Sequence, residues 1–344
     1  MGGTLRLIGS QMSPYSVKLR SYLLYKEIPF EWIERGRRNE QLFQRHAKVQ
    51  LIPLVIFPDD TAMQDSTLII EKLEAEWPEP SIHPPGGSAR FLSELLEEFG
   101  DEWCNKLMFQ YRWGARVDQK STGTRLANLM TQGHPLRFVR PVVARFIVRR
   151  MVPRLAFAGA NATNRPHLET SWGRCVEILE AHLSGRAYLF GGRPSFGDFG
   201  VWAQFAQAYS DVTAGGQLRA SAPALVAWVE RMRTPTAEGD FEPIDDLLPT
   251  LHPLLEEQVA GRFLAWTAAN HRALDAGEEK TRLLFDGALY EQKTFKYHAW
   301  SLAELQSKLE SRRSDALLGP LLEATGCAPH LGLEGSVPGV SAPL

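Results

Sequence analysis

The chain has few cysteines and no long apolar run, and these two absences exclude several classes of protein. Its only cysteines are Cys104, Cys175 and Cys327, which lie far apart with no C-x-x-C pair and no metal-ligand spacing. We therefore expect no disulfide framework, no dithiol redox centre and no metal site. No uninterrupted apolar run approaches the ~18 residues that a membrane-spanning helix needs.

A strong excess of charge of one sign is also missing. The net charge of −2 and the pI of about 6.5 provide no general attraction to nucleic acid. The chain opens with Met-Gly-Gly and a strand pattern follows almost at once, so we expect no secretory signal and a soluble, cytoplasmic protein. A length of 344 residues with 44% hydrophobic content is enough for two or more domains with full cores.

Strand and helix signals alternate through the first part of the chain. Ser13 and Pro14 are typical of a helix start, with a capping residue followed by proline at the first helical position. The predicted order is strand 4–9, helix from 14, strand 30–33, helix around 42–43, strand 51–57, strand 62–63 and helix from 66. This order predicts a thioredoxin-like domain.

Residues 51–66 combine a strand entered through a proline with an acidic residue and a serine that open a helix. Pro53 has no N–H and suits the first position of a strand, and its bond with Ile52 can be cis. The backbone of Ile52 is then free to pair with an extended ligand. The helix opened by Asp65 and Ser66 favours a carboxylate, and the aspartate can hold an ammonium. The segment therefore predicts a site for a small anionic peptide.

Three segments together resemble the cytosolic glutathione transferase superfamily. They are S-P-Y-x-x-x-x-R at 13–20, the pairs Ile52-Pro53 and Asp65-Ser66, and G-G-R-P-S-F-G-D-F at 191–199. The first segment is most similar to the serine-dependent Tau and Zeta classes, and to the Omega class with serine in place of its cysteine. The third is similar to the family's helix-capping segment, in which a serine and an acid three residues apart form a capping box. The resemblance covers residues 4–235 and implies an all-α second domain.

The resemblance also implies an enzyme that uses glutathione as co-substrate to attack a small hydrophobic electrophile. Ser13 would donate its hydroxyl proton to the sulfur of glutathione and stabilise the thiolate, which is the nucleophile. Ile52, in the turn shaped by Pro53, would hold the cysteinyl backbone of glutathione. Asp65 and Ser66 would hold its γ-glutamyl end. Family members are commonly dimeric, so the resemblance implies a homodimer.

Two positions depart from the family pattern. Asp65 stands where most relatives have glutamate or glutamine, which is a tolerable change because the charge is kept. Leu51 stands where the family often has a lysine or glutamine that meets the glycine carboxylate. A charge-assisted contact of roughly 1.5–3 kcal/mol is missing unless Lys48 or Gln50 replaces it. Ser10 is a rival for the role of hydroxyl donor, because other classes carry that hydroxyl nearer the first strand.

A proline and glycine cluster at residues 81–87 separates two domains. The predicted organisation is a thioredoxin-like glutathione-binding domain at 1–82, a linker at 83–88, an all-helical domain at 89–240, a helical extension at 241–326 and a loosely ordered tail at 327–344. A turn or short hairpin is expected around Asp286-Gly287. The extension would cover the active cleft, enlarge a dimer contact or bind a partner, and the sequence does not choose.

The helix after the linker is rich in aromatic residues near its end. Trp103, Met108 and Tyr111 are the candidates for the electrophile pocket, which the family builds in this region. Most large apolar residues there are nevertheless expected in the core. Further helices are predicted at 137–158, 166–184, 197–211, 222–233, from 247, around 259–266 and at 301–309.

Residues 137–154 carry six arginines among bulky apolar residues. Three interpretations compete: a core helix with a solvated basic face, an anion site, and a membrane-surface helix. Pro141 and Pro153 shorten any continuous amphipathic surface, so membrane association is not expected. His134, which precedes Pro135, is interpreted as a loop residue and not as a catalytic base.

Two other functions are compatible with the sequence. A non-catalytic binding or scaffold protein with this fold would explain Leu51 and the long extension. A thiol transferase would need disulfide exchange through Cys104 or Cys175, because position 13 is not a cysteine.

Overall fold

The structure, a computed structural model, describes residues 3–131 and 137–333. The strands in these residues are β1 Leu5–Gly9, β2 Phe30–Glu34, β3 Leu54–Ile56, β4 Ala62–Gln64, β5 Lys280–Phe285 and β6 Ala288–Lys293. The α-helices are α1 Pro14–Tyr25, α2 Glu40–His46, α3 Ser66–Glu76, α4 Gly87–Phe99, α5 Asn105–Gly114, α6 Arg116–Met130, α7 Arg140–Met151, α8 Arg165–Leu183, α9 Phe196–Tyr209, α10 Val212–Ser221, α11 Pro223–Arg231, α12 Ile244–Pro253, α13 Ala265–Asp275, α14 Lys296–Glu310 and α15 Leu318–Ala324.

The first domain is a four-stranded mixed sheet in the order β2-β1-β3-β4. Strand β1 runs parallel to β2 and antiparallel to β3, which pairs antiparallel with β4. Because side chains alternate along a strand, Leu5 and Leu7 pack with α1 and α3, whereas Ile8 packs on Phe43 of α2. The predicted thioredoxin-like domain is confirmed, in the predicted order of elements.

The second domain is built around α9, in which every residue from Phe196 to Ala208 is buried. Its start is the predicted capping box: the Oγ of Ser195 accepts from the N–H of Asp198 at 3.2 Å, and the carboxylate of Asp198 accepts from the N–H of Ser195 at 2.9 Å. Helix α9 crosses the long helix formed by α4, a π-helical turn and α5. The two backbones approach closely because Gly100 lies against Gly200, where a Cβ would fall 2.4 Å from the backbone.

Helices α6, α10 and α15 were not predicted, and α6 shows why. Its sequence has no clear apolar stripe, and it contains Gly123. The helix is stabilised by antiparallel packing on α7, where a Cβ on Gly123 would lie 2.8 Å from the side chain of Val148. Tertiary contact therefore outweighs weak local propensity. The predicted loop residue His134 lies outside the described residues.

The extension after α11 packs back on both domains. Lys308 of α14 pairs with Glu71 of α3 at 2.5 Å, and Arg312 pairs with Glu94 of α4 at 2.7 Å. Strands β5 and β6 form the expected hairpin, which closes at Asp286-Gly287. The extension therefore lies on the domains of its own chain, along α3 and α4.

The start of the predicted loose tail is ordered. A loosely ordered tail was predicted from residue 327, but Cys327, Ala328 and Leu331 are buried in the main core. Three apolar side chains in five residues outweigh the high glycine and proline content there, because they pack on neighbours distant in sequence. Within residues 3–131 and 137–333, no helix has the length and apolarity needed to cross a membrane.

Candidate active site

Ser13 ends the loop between β1 and α1 and caps that helix. It is half-buried, and its Oγ accepts from the backbone N–H of Ser16 at 3.3 Å. Among the described residues the Ser13 hydroxyl has no acceptor for its own proton, so that proton is available to a ligand. The Oγ of Ser10 likewise accepts from the N–H of Met12 at 3.3 Å. Only Ser13 lies at a helix N-terminus, where the helix dipole stabilises an anion.

The helical domain holds the loop that carries Ser13. The buried guanidinium of Arg112 donates to the carbonyl of Met12 at 3.1 Å and pairs with Asp211 at 2.8 Å. Gln207 donates to the carbonyl of Gln11 at 2.9 Å. Helices α5 and α9 therefore position a loop of the other domain.

A cleft of about 710 Å³ lies between the two domains and the extension. The predicted glutathione-binding residues Ile52, Pro53, Asp65 and Ser66 all line it. The Ile52–Pro53 bond is cis, as the sequence allowed. No protein group within the described part of the chain pairs with the backbone N–H or C=O of Ile52. The structure thus brings together the four residues that the sequence predicted, although Ser13 is not among those lining the cleft.

Asp65 sits at the N-cap of α3 with φ of +80°, a conformation uncommon outside glycine. One carboxylate oxygen, Oδ1, accepts from the N–H groups of Thr67 at 3.0 Å and Leu68 at 3.3 Å. Its other oxygen, Oδ2, has no hydrogen-bond partner among the described residues. The carboxylate can therefore cap the helix with one oxygen and bind a cation with the other.

The residues that line the cleft but were missed by the sequence analysis include Tyr15, Asp101, Glu102 and Tyr297. The hydroxyl of Tyr15 donates to the carbonyl of Asp101 at 3.1 Å. Burial and the nearby Glu102 and Asp101 hold the pKa of Tyr15 well above its usual value, so the phenol stays protonated. Only Tyr15 carried a sequence signal, as part of the S-P-Y motif.

Beneath the cleft, Asp101 belongs to a buried cluster centred on Lys18 of α1. The ammonium of Lys18 contacts Asp101 at 2.7 Å, donates to Thr67 at 3.0 Å and also pairs with Glu97. Burial raises the pKa of Asp101 to about 8, although Lys18 opposes the shift. The Oδ1 atom of Asp101 is buried without a partner among the described residues. A hydrogen-bonding group of a ligand would satisfy it.

The extension forms one wall of the cleft. Tyr297, at the start of α14, lines it, and the neighbouring His298 lies 2.8 Å from the carboxylate of Glu102. Ser301, one turn later, hydrogen-bonds to Glu98. The extension therefore contributes a wall to the cleft, which favours the first of the three roles left open for it.

The three candidates for the electrophile pocket lie elsewhere. Trp103 and Met108 are buried in the main core, where the indole N–H of Trp103 donates to Ser171 at 3.0 Å. Tyr111 is half-buried against Trp172, with 5.0 Å between ring centroids, and does not line the cleft. Trp103 was predicted to face a substrate pocket, but the extension covers it with the rings of three residues, Trp266, Phe285 and Tyr290.

Lys48 and Gln50, the two candidates to replace the lysine or glutamine that is absent at position 51, differ in their contacts. Lys48 lines the cleft, whereas the side chain of Gln50 pairs with Gln44 at 2.9 Å and 3.0 Å. Leu51 itself is 68% exposed. Lys48 is therefore the better candidate for a carboxylate contact.

Comparison with known proteins decides the family. Residues 7–81 match the model of the glutathione S-transferase N-terminal domain, and residues 162–231 match that of the C-terminal domain. The chain belongs to the glutathione S-transferase superfamily. The probable glutathione S-transferase GSTU6 of Oryza sativa subsp. japonica is 23% identical to it over 266 residues, 71% of this chain and 90% of the relative. Glutathione S-transferase U14 of Arabidopsis thaliana is 30% identical over 114 residues, 30% of this chain and 46% of the relative.

Solved structures similar to this transferase-family chain include a Tau class glutathione S-transferase from mango, Mangifera indica. It has a TM-score of 0.43 and 16% identity, covering 72% of this chain and 96% of its own. A rice transferase solved with glutathione has a TM-score of 0.40 and 22% identity, covering 73% and 99%. These scores are low, and the family assignment rests on the sequence matches. Helices α6 and α7 and the extension lie outside both domain models.

Proposed function

We propose that the chain is a glutathione transferase that binds glutathione in this cleft and uses its thiolate to attack an electrophilic carbon. The observation that carries the proposal is the single cleft shared by Ile52, Asp65 and Ser66, next to the N-terminus of α1. An apolar electrophile and a homodimer, both implied by the family, belong to the same proposal.

Each part of glutathione has a suitable partner in the cleft. The free N–H and C=O of Ile52 suit the cysteinyl backbone, as in an added strand. The hydroxyl of Ser66 and the N-terminus of α3 suit the γ-glutamyl carboxylate. Asp65, whose Oδ2 has no partner among the described residues, suits the ammonium. Lys48 suits the glycine carboxylate.

The proposed chemistry needs a stabilised thiolate beside Ser13. The Ser13 hydroxyl donates a hydrogen bond to the sulfur, and the positive end of α1 adds to the stabilisation. The thiol proton passes to solvent. The thiolate then forms a bond to the electrophilic carbon, and the leaving group departs with its bonding electron pair.

Substitution of Ser13 by alanine is expected to raise the thiol pKa of bound glutathione by roughly 1–2 units. A hydrogen bond to a charged group contributes about 1.5–3 kcal/mol, and one pKa unit corresponds to about 1.4 kcal/mol. At neutral pH, kcat/KM should fall roughly 10- to 100-fold for the same reason. The test is to follow the ultraviolet absorbance of the bound thiolate across pH, with Ser10→Ala as the matched control.

The outcomes of this test separate the candidate functions. An unchanged thiol pKa in Ser13→Ala, together with a raised one in Tyr15→Phe, would move the donor role to Tyr15. Calorimetry that detects no glutathione binding at millimolar ligand would support the non-catalytic scaffold. We propose the scaffold only as this alternative, because Leu51 replaces a typical ligand contact.

Removal of the Lys48 side chain is expected to weaken glutathione binding roughly 10- to 100-fold, because a charge-assisted contact to the glycine carboxylate is lost. Calorimetric titration of Lys48→Ala with glutathione measures the change, and Gln50→Ala should bind as the unmodified protein does. Glutathione esterified at its glycine should bind equally weakly to Lys48→Ala and to the unmodified chain. A Lys48→Ala protein with unchanged affinity would show that another group replaces the missing contact.

A further inference from the structure

The segment around α6 and α7 concentrates positive charge to an extent seen nowhere else in the sequence. Residues 119–168 contain nine lysines and arginines and no aspartate or glutamate. Because the whole chain has a net charge of −2, the remainder carries −11. The basic charge therefore forms a local patch on a protein that is otherwise acidic.

Most of this charge on α7 and just beyond it is exposed. Arg145, Arg149, Arg150 and Arg154 are exposed. None of them belongs to an ion pair within residues 3–131 and 137–333; the one polar contact found for them is from Arg154 to the sulfur of Met151 at 3.8 Å. These guanidinium groups are therefore available to an external anion.

An apolar stripe runs between the arginines. Phe138, Val142 and Phe146 follow one another at four-residue spacing, and their exposed fractions are 74%, 70% and 63%. Together with Phe157, they include every phenylalanine that is exposed in the described part of the chain. A contiguous stripe of exposed phenylalanines is unusual for a surface with no partner.

The stripe is not needed to pack α7 against α5 and α6. The opposite face of α7 packs Val143, Ile147, Val148 and Met151 against α5 and α6, next to Trp113. Pro141 lies in the first turn of α7, where the helix needs no proline N–H. Pro141 therefore does not shorten the amphipathic surface over residues 138–149, which differs from the prediction, whereas α7 does end before Pro153.

We propose that this face of α7 binds the surface of a bilayer that contains anionic lipids. At about 100° per residue, Arg145 lies on one edge of the stripe and Arg150 on the other. Arginines in these positions reach lipid phosphates while the phenylalanines enter the boundary between headgroups and acyl chains. The proposal reverses the expectation from sequence that membrane association is absent, and it does not depend on the glutathione chemistry.

Charge and apolarity together favour this occupant over two others. A second copy docked face to face would place exposed arginines opposite arginines with no acid between them, which is unfavourable. Nucleic acid would neutralise the arginines but would leave Val142 and its neighbouring phenylalanines largely in water. An anionic bilayer satisfies both the charged and the apolar part of the face.

The test is co-sedimentation of the full chain with vesicles of phosphatidylcholine alone or mixed with phosphatidylserine. We expect binding only to the mixed vesicles, with loss of binding as salt is raised.

The triple variant Arg145→Glu, Arg149→Glu, Arg150→Glu should partition at least roughly 100-fold more weakly. The matched control reverses three exposed charges elsewhere, in Arg233→Glu, Lys293→Glu and Arg313→Glu, and should bind as the unmodified protein does. Phe138→Ser with Phe146→Ser should also weaken binding, at unchanged net charge.

Four results would overturn the proposal. One is the absence of binding to mixed vesicles at low salt, which uses the unmodified protein and cannot be blamed on misfolding. Another is an equal loss in the control triple variant, which would show non-specific attraction. Retained binding in the α7 triple variant would place the lipid contact elsewhere. Self-association that disappears with Phe146→Ser, without vesicle binding, would assign the face to a second copy.

Discussion

Replacement of Lys18 by methionine is expected to lower the free energy of unfolding by roughly 3–5 kcal/mol at pH 7, the usual cost of removing one partner from a buried ion pair. Lys18 is fully buried and is bonded to two buried carboxylates, Glu97 and Asp101. It also joins the domains, because it belongs to α1 whereas its acidic partners belong to the helix that begins at α4. Chemical denaturation monitored by circular dichroism measures the loss.

The pH dependence of this loss identifies its electrostatic cause. Lys18 opposes the rise that burial gives to the pKa of Asp101, which is about 8 in the unmodified protein, so this pKa should rise further without Lys18. Between the two folded-state pKa values the native variant binds more protons than the native unmodified protein, so a fall in pH stabilises the variant more. The stability deficit of the variant should therefore be smaller at pH 7 than at pH 9. Addition of Glu97→Gln to the variant should restore part of the stability at pH 7.

A matched control is available on α3. Lys72 pairs with Glu76 one turn away on an exposed surface, and Lys72→Met should change stability by about 0.5 kcal/mol or less. Equal losses for Lys18→Met and Lys72→Met would contradict the assignment of Lys18 to a buried interdomain pair. A loss in Lys18→Met that is independent of pH would point to packing and not to charge.

Substitution of Arg112 by methionine is expected to cost about 3 kcal/mol of stability and to lower kcat/KM at least roughly tenfold. The stability loss follows because Asp211 loses a buried partner. The activity loss follows because Arg112 holds the carbonyl of Met12, one residue before Ser13. We therefore assign Arg112 as a positioning residue for the thiolate donor.

Two measurements separate positioning from simple destabilisation. The thiol pKa of bound glutathione should rise in Arg112→Met, whereas the dissociation constant of glutathione should change little, because Arg112 does not line the cleft. The milder variant Gln207→Ala removes the contact to Gln11 and should raise the same pKa by a smaller amount. Arg165→Met, an exposed control, should leave both quantities unchanged. A destabilised Arg112→Met protein with a normal thiol pKa would limit Arg112 to a structural role.

Local signals were enough to predict the first domain and the start of α9. The proline at the entry to β3, the capping residues Ser13 and Asp65 and the box at Ser195 each act within four residues of chain. Their effects on backbone conformation are therefore present in the sequence itself. The same reasoning found Ile52, Asp65 and Ser66, because a β-strand and a helix start that follow each other closely share one edge of the sheet.

Contacts between distant residues were beyond this reasoning. The Lys18 cluster joins positions about eighty residues apart, and Tyr297 reaches the cleft from the far end of the chain. Trp103 was assigned to a pocket because its helix is aromatic, but the hairpin β5–β6 and α13 enclose it. The exposure of Phe138 and Phe146 could not be predicted either, because a helix with a buried apolar face and a helix with an exposed docking face have the same apolar periodicity.

By itself the sequence determined the order of secondary structure in the first domain, its thioredoxin-like layout and the backbone positions suited to a tripeptide, because these depend on dihedral preferences, capping and short-range periodicity. Only the tertiary structure decided which side chains complete the cleft, which aromatic residues are core and which arginines stay unpaired. Those outcomes depend on burial and on Coulomb interactions between groups that the fold brings together from remote parts of the chain.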